Sequence, residues 1–240
     1  MFKRVLIIAT AFLSFTSTKA QPPKGAQAVY QQGVAFMNKA QDPDAMASFF
    51  KAVTLYKNYD STWVKMADIN VRHSSFDTAI SFYKKALAIN PKNLQALTGV
   101  AGVYKNFKND INTALGYYFK AIAIDSSNKE TICMVAWCYN SLKDYDNAIS
   151  YAVKALAIDN NYRAAYGELG HAFHMSGKFA EGVVQFKKNI AVSPHELPMF
   201  YAGLCYIELK DKAGATSMLD ELTKISSKLA DRLKEKIEKM

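Results

Sequence analysis

The sequence is short of the residues that would point to an unusual fold. Three cysteines in 240 residues, Cys133, Cys138 and Cys205, are few and odd in number, which argues against a disulfide framework. All three fall in segments that read as helical, so buried free thiols are expected. Six prolines and eleven glycines exclude a collagenous or Pro-rich disordered chain. No stretch after Gln21 reaches the roughly 18 apolar residues of a membrane-spanning helix. A glycine-rich phosphate loop, a nucleophile elbow, an HExxH and a CxxC are all missing. No enzyme, catalytic residue or cofactor is therefore expected. Asp68, Glu130 and Glu168 could pair across helices, but such acids more often form salt-bridged surface. His171 and His174, three apart, could share a helix face as metal ligands. Only Glu168 and Met175 lie near enough to join them, and no metal site is expected.

The first twenty residues stand apart from the rest. Lys3 and Arg4 precede an apolar run from Val5 to Phe15, and Thr18-Lys19-Ala20 offers small side chains for cleavage before Gln21. Residues 1–20 read as an export signal, with a retained N-terminal anchor as the alternative, and the protein is expected to be periplasmic or secreted. No cysteine near the cut could carry a lipid. Removing Lys3, Arg4 and Lys19, three cations with no acid among them, takes the formal charge from +9 to +6. The remaining lysines are scattered over nearly every helical segment, which makes a solvated face and gives no nucleic-acid groove.

What the chain does have is a period. Ala45, Ala79, Ala114, Ala148, Gly182 and Ala215 are spaced by 34, 35, 34, 34 and 33 residues. A second column of small residues moves in step: Gly33, Ala67, Ala101, Ala136, Gly170 and Gly203. Three residues after each comes a bulky one (Phe36, Tyr104, Tyr139, Phe173 and Tyr206), with Asn70 the exception. Four residues before each stands Val29, Trp63, Leu97, Ile132, Tyr166 or Met199. The partner segments carry Phe49, Tyr83, Tyr118, Ala152, Phe186 and Leu219, and Ala52, Ala86, Ala121 and Ala155 follow three residues later. Two antiparallel helices approach closely only where a side chain is minimal, and large rings then fill the flanks. One such pair cannot bury its apolar faces alone, so successive pairs must stack.

These columns resemble the tetratricopeptide repeat. The resemblance spans residues 26–228 and implies an all-α fold. That fold is an α-solenoid, a right-handed superhelix, of about six helix-turn-helix units with first helices lining the concave side. After a short segment at 21–25, the units fall at 26–59, 60–93, 94–128, 129–162, 163–195 and 196–228. Unit three holds one extra residue, placed between Lys105 and Ile111, and unit five lacks one around Ser193 to Leu197. A C-terminal amphipathic helix over 216–240, with Leu219, Leu222, Ile225, Leu229, Leu233 and Ile237 as its stripe, overlaps the last unit. It is expected to cap the stack and in part to project from it. Docking or self-association through it is the alternative.

The resemblance implies a protein or peptide partner in the concave groove and a scaffold or adaptor function. The inner stripe of the first helices reads as Tyr30, Val34 and Met37; Val64, Asp68, Val71 and Arg72; and Lys105 and Asn106. It continues with Cys133, Trp137, Asn140 and Ser141; His171, His174 and Met175; and Phe200, Leu204 and Ile207. Trp137 stands out because its column is already filled by Ile132 and Val135, leaving it free to anchor a ligand or to pack on a neighbour. Members of the family that clamp a terminal carboxylate use a Lys and Asn one turn apart. The matching pairs here are Tyr30/Val34, Val64/Asp68, Thr98/Gly102, Cys133/Trp137, Gly167/His171 and Phe200/Leu204, and none is Lys/Asn. Apolar side chains or backbone are expected to grip the ligand. The alternative function is a structural or assembly part in an envelope complex, acting through the C-terminal helix.

Overall fold

The computed structural model describes residues 21–240; the expected export signal lies outside them. Among the described residues there are thirteen α-helices and no strand. Twelve form antiparallel pairs: α1 (Lys24–Asn38) with α2 (Asp42–Leu55), α3 (Asp60–Arg72) with α4 (Phe76–Ile89), and α5 (Leu94–Val103) with α6 (Ile111–Ile124). Then come α7 (Lys129–Ser141) with α8 (Tyr145–Ile158), α9 (Arg163–Met175) with α10 (Phe179–Val192), and α11 (Glu196–Glu208) with α12 (Lys212–Lys224). A last helix, α13 (Leu229–Glu238), closes the chain. First helices touch the first helices of the next unit, α1 to α3, α3 to α5, α7 to α9 and α9 to α11, and so build one inner layer. Each second helix packs on its own first helix and against the next unit's, which makes the array an α-solenoid.

The small-residue columns are the surfaces on which helices meet. Ala45, Ala67, Ala79, Ala101, Ala114, Ala136, Ala148 and Ala215 have no exposed surface. A Cβ at Gly33 would stand 2.6 Å from the Phe49 ring, and one at Gly170 would stand 2.7 Å from the Phe186 ring. The ring of the second helix therefore lies directly on the backbone of the first, and only glycine leaves room for it.

The turns repeat as faithfully as the helices. Each turn inside a unit holds one residue in the left-handed region: Ala40, Ser74, Asn109, Lys143, Gly177 and Lys210, with φ between 51° and 77°. The following N–H then donates back to the bulky column, Gln41 to Phe36, Ser75 to Asn70, Asp144 to Tyr139, Lys178 to Phe173 and Asp211 to Tyr206, at 2.8–3.0 Å. This satisfies carbonyls that the helix end would leave unpaired. Unit three absorbs its extra residue as a π-helical turn at Tyr104–Lys108. There the bond runs from Asp110 N–H to Tyr104 O, six residues apart. Between units the links are four residues long except at 193–195, where the residue missing from unit five is lost.

The C-terminal segment differs from expectation. It is not one helix over 216–240: the chain turns at Ile225–Lys228, with Ser226 at φ 54°, and α13 folds back onto α11. Leu233 is fully buried and Ile237 nearly so, in one cluster with Met199, Phe200 and Leu222. A Cβ on Gly203 would come within 2.6 Å of Leu233. The last unit's bare backbone thus receives its covering side chain from α13, and a straight helix would have carried Leu233 past it. Nothing of the stripe projects beyond the stack except Ile225, which the turn leaves exposed.

Candidate functional site

A cavity of about 510 Å³ opens on the inner layer where α7, α9 and α11 run side by side. Trp137, Asn140 and Ser141 line it from α7, and Arg163, Ala164, Gly167, Glu168 and His171 from α9. Leu197, Pro198 and Tyr201 come from α11, His195 from the short link, and Phe186 and Asn189 reach it from α10.

Its polar groups are coupled across the units. Asn140 Nδ2 donates to Glu168 Oε2 at 2.8 Å and to the Glu168 carbonyl at 3.0 Å, tying α7 to α9. Burial pushes the Glu168 carboxyl above its ordinary range, opposed by the Asn140 donor and the Lys105 ammonium. That ammonium lies 3.9 Å from the centre of the Trp137 ring, and burial lowers its pKa. Asn189 Nδ2 donates to the Arg163 carbonyl at 2.9 Å. The Oδ1 atoms of Asn140 and Asn189 are both buried without a hydrogen-bond partner. Burial also lowers the pKa of His171, His174 and His195, so these imidazoles are neutral at neutral pH. Tyr201 joins the aromatic groups, with its ring centre 5.7 Å from Phe186, 5.9 Å from Phe200 and 6.0 Å from His171.

Of the residues expected on the groove, Trp137, Asn140, Ser141 and His171 line the cavity. Others do not reach it. Val64 and Cys133 have almost no exposed surface and belong to the core between units, and Phe200 is buried beneath α13. The expected stripe ran one register too deep at these positions, because the next unit, or α13 at the end of the stack, covers that side of the first helix. Burial drives the Cys133 thiol up to about 12. Tyr30, Val34 and Met37 pack on the first unit's core, with Tyr30 wedged between the rings of Tyr59 at 4.9 Å and Phe49 at 5.7 Å. Asp68 accepts from the Tyr83 hydroxyl at 2.7 Å. Arg72 is held by Asp42 at 2.8 Å, and the His73 ring meets the other Asp42 oxygen at 2.7 Å. His174 turns away from the cavity to Cys205, with Nδ1 3.3 Å from Sγ. Leu204 sits instead in a hollow beside Ile207, Lys236 and Lys239. Among the described residues no three His, Cys, Asp or Glu side chains gather as metal ligands would.

Gly167, Asn189, Tyr201, Leu197 and Pro198 escaped the sequence reading. One of them left a trace in it: Asn189 breaks a column that Ala52, Ala86, Ala121 and Ala155 keep.

Profiles of the tetratricopeptide repeat match residues 61–93 and 130–162, which are units two and four, and a second such profile matches residues 199–226 in unit six. The chain is a tetratricopeptide-repeat protein. This repeat protein is 36% identical over 56 residues to the Small glutamine-rich tetratricopeptide repeat-containing protein 2 of Mycosarcoma maydis, covering 23% of this chain and 16% of that one. It is 28% identical over 105 residues to the Photosystem I assembly protein Ycf3 of Cyanophora paradoxa, covering 42% of this chain and 60% of that one. It therefore spans less than two thirds of either curated relative. The solved structure of a tetratricopeptide repeat protein from Parabacteroides merdae ATCC 43184 is similar with a TM-score of 0.74 at 18% identity, over 90% of this chain and 86% of that one. That is a likeness of fold. Among the described residues no helix is long and apolar enough to cross a membrane.

Proposed function

We propose that this protein is a non-catalytic scaffold that holds a segment of a partner protein in the cavity of units four to six. One observation carries the reading. The inner layer is filled by its own side chains in the first two units, but between α7, α9 and α11 it opens into a cavity with Trp137 and Tyr201 on its walls. Half-buried aromatic side chains beside polar groups are good anchors for a bound polypeptide. Selection of a random short-peptide library on residues 21–240 supplies the probe. Binders are expected to lose about 30-fold or more in affinity for Trp137→Ala, as an interface anchor does, with the helical circular dichroism unchanged. Equal binding by that variant overturns the reading.

A part in building a larger complex is a narrower version of the same function. It is supported by the assembly role in the name of the Cyanophora relative. Self-association through the C-terminal helix has less support, because Leu233 and Ile237 would have to leave their own core. We also propose that the protein acts outside the cytoplasm after loss of residues 1–20. Mass spectrometry of the cell-derived protein should find Gln21 at the N-terminus, and a retained Met1 would count against export with cleavage.

A further inference from the structure

A second hollow, of about 300 Å³, lies two units before the cavity, where residues of α5, α6 and α7 come together. Thr98, Tyr118, Asn128, Glu130, Thr131 and Met134 line it. Each has a counterpart two units further on in the wall of the larger cavity: Gly167, Phe186, His195, Leu197, Pro198 and Tyr201, in the same order. The stack therefore makes one kind of opening twice, at a fixed offset. Its lining changes from mainly polar in units three and four to mainly apolar in units five and six.

The polar groups of the smaller hollow are incompletely used. In unit two the ring that corresponds to Tyr118 is Tyr83, whose hydroxyl donates to Asp68 at 2.7 Å. In unit three the place of Asp68 belongs to Gly102, and the Tyr118 hydroxyl makes no hydrogen bond among the described residues. Its oxygen is open to the hollow, since the sealed, unpaired side-chain atoms there belong to Thr62, Asn140 and Asn189. Burial raises its pKa, so it remains a donor. Thr98 gives its own hydrogen to the Leu94 carbonyl at 2.9 Å and meets a ligand as an acceptor. Glu130 is exposed, and the Lys129 ammonium 4.0 Å from it is committed to Asp159 at 2.6 Å. One donor thus stands beside two acceptors. An ammonium would pair with the acceptors and leave the Tyr118 hydrogen unused, and Glu130 would repel a carboxylate. A carboxamide answers both, with a carbonyl for Tyr118 and an N–H for Thr98 or Glu130.

The offset sets a length. Met134 on α7 and Tyr201 on α11 have α9 packed between them, and packed helix axes stand about 8–10 Å apart. Two such steps make about 16–20 Å, which about five or six residues of extended chain cover at roughly 3.3 Å each. We infer that the partner segment is held at two points. Its apolar anchor sits in the larger cavity, and an Asn or Gln side chain about five or six residues away enters the hollow of units three and four. This inference rests on the reading of the larger cavity as a peptide site, and the test keeps the two apart.

Peptides selected on residues 21–240 and dependent on Trp137 should carry an Asn or Gln at that spacing from their anchor. Each binder is remade with Gln, Glu, Lys or Met at the position and titrated calorimetrically. Replacing Gln by Met is expected to weaken binding to the wild type about tenfold, the size of one hydrogen bond plus a donor left unpaired. On Tyr118→Phe, which breaks no hydrogen bond of the fold, the same replacement should cost about twofold or less. A Gln-to-Met cost that is absent in the wild type, or equal in the wild type and Tyr118→Phe, overturns the inference. A preference for Glu or Lys does the same. If binding still depends on Trp137 in those cases, the larger cavity stands as a peptide site and only the second point falls. If binding is indifferent to Trp137, the peptide site is lost and the two-point grip goes with it.

Discussion

The inner layer of units one and two and that of units four to six are built on the same helical frame but finish differently. In the first region, Tyr30 is clasped by Phe49 and Tyr59, Asp68 takes the Tyr83 hydroxyl, and Asp42 takes Arg72. Each of these three side chains is held by a neighbour inside the chain. In the second, one turn of α9 carries Gly167 in place of a larger residue, and a cavity opens with two carbonyl oxygens still unpaired. The repeat decides where helices lie; unit five, with Gly167 beside Asn189, is where the inner face is left open. The two ends differ in the same way. Unit six receives a covering helix, α13, while the outer side of α1 carries the exposed Ala28, Gln31 and Ala35.

The comparison can be broken most forcefully at the cap. Leu233→Ala should destabilise the protein by about 2–5 kcal/mol, as expected for a fully buried leucine. Because repeat arrays are stabilised unit by unit, hydrogen exchange should rise first in α9 to α12 and leave α1 to α4 protected. Uniform loss of protection would mean that the array melts as one body and that the two regions are not separable.

A pair of substitutions asks whether the frame really is the same on both sides. Gly33→Ala and Gly170→Ala set a methyl 2.6 Å and 2.7 Å from the Phe49 and Phe186 rings. Each should cost about 1–3 kcal/mol by overpacking, and the two losses should agree in chemical denaturation. A clear inequality would show that the open region also packs its helix pairs more loosely.

The smallest effect expected is electrostatic and confined to the open region. Glu168 has a folded pKa above its ordinary 4.5, chiefly from burial. Between those values the folded state binds the proton more tightly than the unfolded one, so this group lowers stability as pH rises through the window. Glu168→Gln keeps an acceptor for Asn140 and removes the buried charge. The variant should be the more stable protein at neutral pH, and its advantage should shrink as pH falls through that window and be gone below 4.5. An advantage that grows on acidification would reverse the assignment.

Much of this was legible in the residues. Ala45, Ala79, Ala114, Ala148, Gly182 and Ala215 mark the second helices, and the insertion before Ile111 and the deletion after Val192 fall where the period slips. The groove was legible only in part. Val64 and Phe200 read as inner-face residues because a helix wheel knows its own axis but not how far the next unit, or for Phe200 the helix α13, will overlap it. Trp137 and His171 sit further round the helix and escape that overlap. Asn189 could have been found by asking which column broke its rule, since a polar residue in an alanine column needs a partner, which here is the Arg163 carbonyl.

By itself the sequence determined the helices, their pairing and the order of the units, because those depend on side-chain size at a fixed spacing along one chain. Tertiary structure alone decided which inner positions stay open and that the last apolar stripe turns back onto Gly203. Both depend on three helices meeting at once, and that distance is written in no single stretch of residues.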